Sequence, residues 1–255
     1  MKKRNFLFIP FILGMGISLF SCNLAGSGGN NATYQNLPAI VSDYDAAMNP
    51  ILGTAMGYLS TPSLTGVQLG ECIYLNQFTI NFDNQPSSSY YIASNIVETN
   101  VDQSPLSIGD TIMLQDNPLT LANVGGYAYG VLSAYYRGKF FLTMSAKDKN
   151  PIFRLAFNTK EIDSTGVKNL YLLANSTSPS GSASADTYAM QAFDLSDLIY
   201  PYGRDTTLTN GVSGQATSFR YIRFNLKYPS AISSDGVPTY TTVNASSPIE
   251  MYMFN

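Results

Sequence analysis

The sequence predicts an all-β protein. Three observations carry the prediction. Short runs of strand-prone residues recur along the chain, turn formers separate them, and no segment sustains an apolar period of about 3.6. Such spacing belongs to sandwich or barrel domains. The clearest unit runs from Gly70 to Val97. Phe78, Ile80 and Phe82 alternate there with Gln77, Thr79 and Asn81, as in a strand with one buried face. Asp83-Asn84-Gln85-Pro86-Ser87-Ser88-Ser89 breaks the pattern, and Tyr90 to Val97 resumes it, which makes a β-hairpin.

The 255 residues are 45 % hydrophobic, enough for one large or two small cores, and only 12 % charged. Solubility then rests on Ser, Thr, Asn and Gln, as in exported β-proteins. The first 21 residues read as an export signal: Lys2-Lys3-Arg4, a short apolar run from Phe6 to Phe20, then Leu19-Phe20-Ser21-Cys22. This is the pattern of a bacterial lipoprotein signal, in which Cys22 becomes the first residue and carries acyl chains such as palmitate. Two or more chains make a stable membrane anchor. Loss of the three leading basic residues moves the net charge from −3 to about −6, without the basic footprint that nucleic acid requires. Cys22 is taken by lipid, so Cys72 has no disulfide partner; among Ile73, Tyr74 and Leu75 it reads as a small core residue.

Residues 22–33 form a Gly/Asn/Ser tether. No acidic run follows Cys22, which favours the periplasmic side of a Gram-negative outer membrane over the cell surface. Leu37 to Val41 is a strand, and Met48 to Leu59 is a strand pair or a bend, because Gly53 and Gly57 would each cost a helix about 1 kcal/mol. After the hairpin come a strand over Ser107–Leu114 and a second hairpin around Arg137-Gly138, joining Tyr127–Tyr136 to Lys139–Ser145. The charged cluster Lys147-Asp148-Lys149-Asn150-Pro151 marks a domain boundary, giving domains over 34–146 and 151–255. Strands are then expected over Ile152–Asn158, Val167–Ala174, Tyr188–Leu195, Phe219–Tyr228 and Ile249–Phe254, with loops over Ser176–Asp186 and Tyr200–Ser218 and a turn at Asp235-Gly236. In the Phe219–Tyr228 run, Ile222, Phe224, Leu226 and Tyr228 face one way and Tyr221, Arg223, Asn225 and Lys227 the other.

The segment Gly70-Glu71-Cys72-Ile73 leading to Phe78-Thr79-Ile80-Asn81-Phe82-Asp83-Asn84-Gln85-Pro86, with Tyr90-Tyr91 after it, resembles NigD-like bacterial lipoproteins. Pro38-Ala39-Ile40-Val41 and Phe193-Asp194-Leu195 are similar to further pieces of that family. The resemblance implies an N-terminal OB-like β-barrel followed by a C-terminal immunoglobulin-like β-sandwich. The family name, taken from a bacteriocin gene cluster, hints at self-protection and supplies no general activity.

Catalytic chemistry is hard to assemble from these residues. The chain has no histidine, which removes Ser-His-Asp and Cys-His catalysis and histidine metal sites. No nucleophile elbow, P-loop or dinucleotide fingerprint occurs. Glu71, Asp83, Glu98, Asp110, Asp194 and Asp197 are candidate acid–base carboxylates by type alone, and read better as solvated strand ends and turns. Asp43, Asp45 and Asp83 lack a calcium-loop spacing. No cofactor, metal or catalytic residue is therefore expected. The surplus is tyrosine: 18 of them, with no tryptophan. Tyr90, Tyr91, Tyr135, Tyr136, Tyr200 and Tyr202 are the candidate binding residues, since tyrosine gives contact area at low entropic cost. The expected function is a lipid-anchored envelope binding or structural protein without catalytic activity, its ligand a protein or a glycan. The alternatives are immunity against a bacteriocin-type toxin and a carboxylate-dependent glycoside hydrolase.

Overall fold

The alternating run around Phe78 is the middle of a closed ring of strands. In the computed structural model, which describes residues 30–83, 85, 89–112, 116–126, 135–136, 138–162, 166–177, 182–209, 216–243 and 248–254, the first five strands are β1 (Asn31–Tyr44), β2 (Pro50–Thr54), β3 (Gly57–Ser60), β4 (Cys72–Asn81) and β5 (Tyr91–Gly109). β1 pairs antiparallel with β2 and β4, β2 with β3, and β4 with β5. A short parallel pairing of Leu59 with Tyr91 and Ser60 with Ile92 joins β3 to β5 and closes the ring. The strand order around the ring is 1-2-3-5-4. The Met48–Leu59 strand pair and the hairpin are both present.

Alternation fills the ring. Ala39, Val41, Leu52, Leu59, Ile73, Leu75, Phe78, Ile80 and Ala93 form its core. The inward parity on β4 changes from odd to even between Leu75 and Phe78, where the register with β5 slips. Asn36 on β1 and Asn95 on β5 flank this irregularity and adopt positive φ (62° and 51°), a region that asparagine tolerates better than other non-glycine residues. Bulges of this kind bend strands enough to close a small barrel. Residues 31–33, expected to be tether, instead begin β1 and pair with the far end of β4, where the Thr33 and Thr79 hydroxyls share a 3.2 Å hydrogen bond. Cys22 and the expected export signal over residues 1–21 lie outside the described residues.

The rest of the chain is a two-layered sandwich of β6 (Leu121–Gly126), β7 (Tyr135–Tyr136), β8 (Lys139–Asp148), β9 (Pro151–Ile162), β10 (Lys168–Ser176), β11 (Ser182–Asp194), α1 (Ser196–Tyr202), β12 (Arg204–Thr209), β13 (Ala216–Ile232), β14 (Pro238–Thr242) and β15 (Ile249–Phe254). β11, β8, β6 and β7 form a front sheet, and β9, β10, β13, β12, β14 and β15 a back sheet. Both start from β5: Asp102–Pro105 pairs parallel with β11, and Leu106–Gly109 pairs parallel with β9. Between the sheets lie Phe140, Leu142, Met144 and Phe193 from the front, and Leu155, Phe157, Leu170, Leu172, Phe224 and Leu226 from the back. Phe140 meets Phe224 edge-on at 5.7 Å.

The sheet membership changes along β5 rather than at residues 147–150. β8, placed by sequence in the N-terminal domain, pairs with β11 and β6. The charged cluster is the crossing from front to back sheet, where buried Asp148 accepts hydrogen bonds from the Asn150 amide and the Ser176 hydroxyl. Two expected loops contribute to elements: residues 182–186 extend β11, and within Tyr200–Ser218 lie the end of α1, β12 and the start of β13. Replacing Asn36 with Val puts a β-branched residue at positive φ, so Asn36→Val should lower stability by about 1–2 kcal/mol while Asn36→Gly leaves the urea midpoint nearly unchanged; chemical denaturation followed by circular dichroism measures both.

Candidate functional site

The outward face of the back sheet carries a group of interacting polar side chains drawn from four strands. It follows from alternation on β13: Ile222, Phe224 and Leu226 point into the core, so Tyr221, Arg223, Asn225 and Lys227 point out. Parallel pairing sets Asn169 of β10 beside Asn225, and Tyr171 beside Lys227. The Asn225 amide donates to Asn169 Oδ1 at 3.2 Å. On β9, a register shift opposite Lys168–Leu170 loops out the segment that carries Glu161. Its carboxylate accepts from Asn169 Nδ2 at 2.7 Å, from the Tyr171 hydroxyl at 2.5 Å and from Lys227 Nζ at 3.4 Å. Lys227 Nζ also sits 5.2 Å from the Tyr171 ring centre, and Tyr240 of β14 packs edge-on against that ring at 5.0 Å. A second unit of the same kind lies on β13 and β15: Glu250 Oε1 accepts from the Tyr221 hydroxyl at 2.9 Å and lies 3.5 Å from Arg223 Nε.

The electrostatics fix the protonation states. Burial alone would raise Glu161, but hydrogen bonds from Tyr171 and Asn169 and the charge of Lys227 outweigh it and hold the carboxyl below its ordinary 4.5. Burial, and then the hydrogen bond to Glu161 and its charge, push the Tyr171 phenol upward. At neutral pH the group is thus an ionised acceptor and a protonated donor, with each donor already directed. The neighbouring depression lined by Leu173, Pro229, Pro238 and Tyr240 has room for about 10 Å³ of solvent, one water at most, so it encloses no small molecule.

The tyrosines singled out by sequence are spread over three elements. Tyr90 immediately precedes β5 and Tyr91 begins it, with Tyr91 edge-on to Phe82 at 5.5 Å. Tyr135 and Tyr136 form β7 against β8, and their side chains lie outside the described residues. Tyr200 is exposed on α1, while Tyr202 packs against Phe157 at 5.0 Å with Lys168 Nζ 5.6 Å from its ring centre. The six candidate carboxylates are dispersed as well. Glu71 accepts from the Gln68 amide and Asp83 from the Asn30 amide. Asp110 pairs with Lys160 at 3.0 Å and Asp194 with Lys139 at 2.7 Å. Glu98 is exposed on β5 and Asp197 is exposed in the first turn of α1. Asp45 is occupied by turn hydrogen bonds from Ala47, Asn49 and Ser60. Cys72 is buried, and burial pushes its thiol up to about 12. Glu161, Tyr171, Tyr240 and Glu250 were not legible as a group; the polar alternation at 221–227 was their only signal.

No family model matches the sequence, and no curated protein matches it. Solved structures do. An uncharacterized protein from Parabacteroides merdae aligns over 86 % of this chain and 98 % of its own, at 16 % identity and a TM-score of 0.58. A protein of unknown function from Bacteroides vulgatus covers 82 % and 96 %, at 14 % identity and 0.50. This chain shares their all-β fold. A NigD-like immunity protein from Bacteroides caccae also matches, over 85 % and 95 % at 12 % identity and a TM-score of 0.46.

Glu161→Gln keeps the shape and removes the charge. It should cost about 1 kcal/mol at pH 7. Because the folded carboxyl lies below 4.5, the difference from wild type should be complete above that value and close as pH falls through the folded pKa, as urea titrations across pH 2–7 would record.

Proposed function

We propose that this chain is a lipid-anchored protein of a Gram-negative envelope that binds a macromolecular partner and performs no catalysis. The observation that carries the reading is the outward face of the back sheet. Glu161 is kept ionised and Tyr171 protonated, each held by fixed neighbours, so the face can offer directed hydrogen bonds but has no group poised to move a proton at neutral pH. The buried Cys72 thiol, at about 12, is equally unsuited to nucleophilic attack. A shallow surface with exposed Arg223 and half-buried Glu250 beside ordered tyrosines suits a protein or glycan surface better than an enclosed small ligand. The lipid attachment at Cys22 and the periplasm-facing position rest on the N-terminal sequence.

Pull-down from detergent-solubilised envelope tests the binding reading. Arg223→Glu should lose components that wild type and Tyr200→Ala/Tyr202→Ala both retain. Lists no richer than a tag-only control for all three would overturn it.

The 70–97 hairpin supports a second reading, self-protection against a secreted toxin. Deletion of the gene should then lower the minimum inhibitory concentration of a co-produced bacteriocin at least about tenfold. Unchanged sensitivity would remove this reading.

A further inference from the structure

The charges of this chain are segregated. Residues 5–136 hold eight acidic residues and no Lys or Arg, and every other Lys and Arg of the mature chain falls at Arg137 or beyond. The barrel is therefore acidic and free of cations, and the cations gather in the sandwich. We propose that the outward face of the back sheet binds an acidic polysaccharide laid along β13, whose sugar carboxylates pair with Arg204 and Arg223. This rests on the binding reading above and names the class of its partner.

Register sets the cations in file. Tyr221, Arg223, Asn225 and Lys227 point outward from β13. Antiparallel pairing places Arg204 of β12 opposite Tyr221, on the same face. Arg204 is exposed and reaches over Gly166, where a Cβ would come within 3.2 Å of Nη2. No carboxylate pairs with Arg204 among the described residues. Arg223 is 43 % exposed and meets Glu250 through Nε, and a guanidinium fork has further donors for a ligand. Lys227 closes the file beside the Tyr171 ring. From Tyr221 to Lys227 the face runs about 20 Å, which fits an extended chain better than a single sugar.

The chemistry of the face favours a glycan over a protein. Between the cations, the outward positions of β13 are a tyrosine and an asparagine, with no aliphatic side chain to form the apolar centre of a protein interface. Ala156 and Leu173 on the neighbouring strands are buried, and the depression beside Leu173 is too small to seat an anchoring side chain. Tyrosine and asparagine offer neutral hydrogen bonds to sugar hydroxyls, and arginine forks bind carboxylates through paired hydrogen bonds. The acidic barrel repels a polyanion and so confines it to the sandwich.

The full-length protein in detergent micelles is titrated calorimetrically with polygalacturonate, with dextran as the neutral polymer and poly-L-glutamate as the acidic polypeptide. Circular dichroism checks the fold of each variant. Polygalacturonate should bind, and its dissociation constant should rise at least about fivefold in Arg204→Ala/Arg223→Ala. High salt should weaken the binding as well. Lys147→Ala, exposed at the crossing between the sheets, should bind as wild type does. Dextran and poly-L-glutamate should not bind. No binding of polygalacturonate, binding unchanged in the double variant, or equal binding of poly-L-glutamate would each overturn the assignment to an acidic polysaccharide. If Arg223→Glu still loses envelope components in the pull-down, the binding reading stands and the class of partner alone falls. Failure of both experiments removes the two together.

Discussion

One strand holds the molecule together. β5 is hydrogen-bonded to β3 and β4 of the barrel along its first part, to β11 of the front sheet at Asp102–Pro105, and to β9 of the back sheet at Leu106–Gly109. Three sheets thus share one backbone. Their relative placement is set by hydrogen-bond register instead of by a linker. The core follows the same continuity. Ile40, Cys72 and Tyr74 alternate with barrel-facing neighbours on β1 and β4, and their side chains join the sandwich core together with Val101 of β5. Barrel and sandwich therefore bury a shared apolar boundary, and each layer supports the next.

That rigidity explains how a chain with few charges can present an ordered polar face. On the back sheet, the side chains of β13 alternate strictly between core and surface over 222–227, and their outward neighbours come from β9, β10, β14 and β15. The small Ala156 opposite Tyr171 leaves room for its ring, and the displaced stretch of β9 places Glu161 over it. Polar groups held this way lose little freedom when they meet a partner, which is where preorganised surfaces gain affinity.

Much of this was legible in the chain. Alternation located β4, β9 and β13, and Gly53 and Gly57 argued correctly against a helix. What failed to show was non-local. Nothing in Thr33 or Ala32 reveals that a threonine pair with β4 awaits them. α1 spans Ser196–Tyr202 and contains Pro201, too short and too interrupted for a helical period, yet its Leu198 and Ile199 are fully buried under the sandwich. The site residues were hidden for a similar reason. Glu161 and Glu250 each gain meaning only from a tyrosine and a cation on another strand.

The parallel pairings of β5 carry a kinetic consequence. A strand completed by residues 155–158 and 191–194 cannot be finished until those later segments have been made. β6 and β8 likewise wait for β11 before their sheet is complete. Such late, long-range closure makes for slow folding and leaves unsatisfied strand edges in the meantime. The barrel can assemble first, but the rest must then condense onto it in a single late step. In that interval the half-made protein presents open strand edges that pair readily with those of its neighbours.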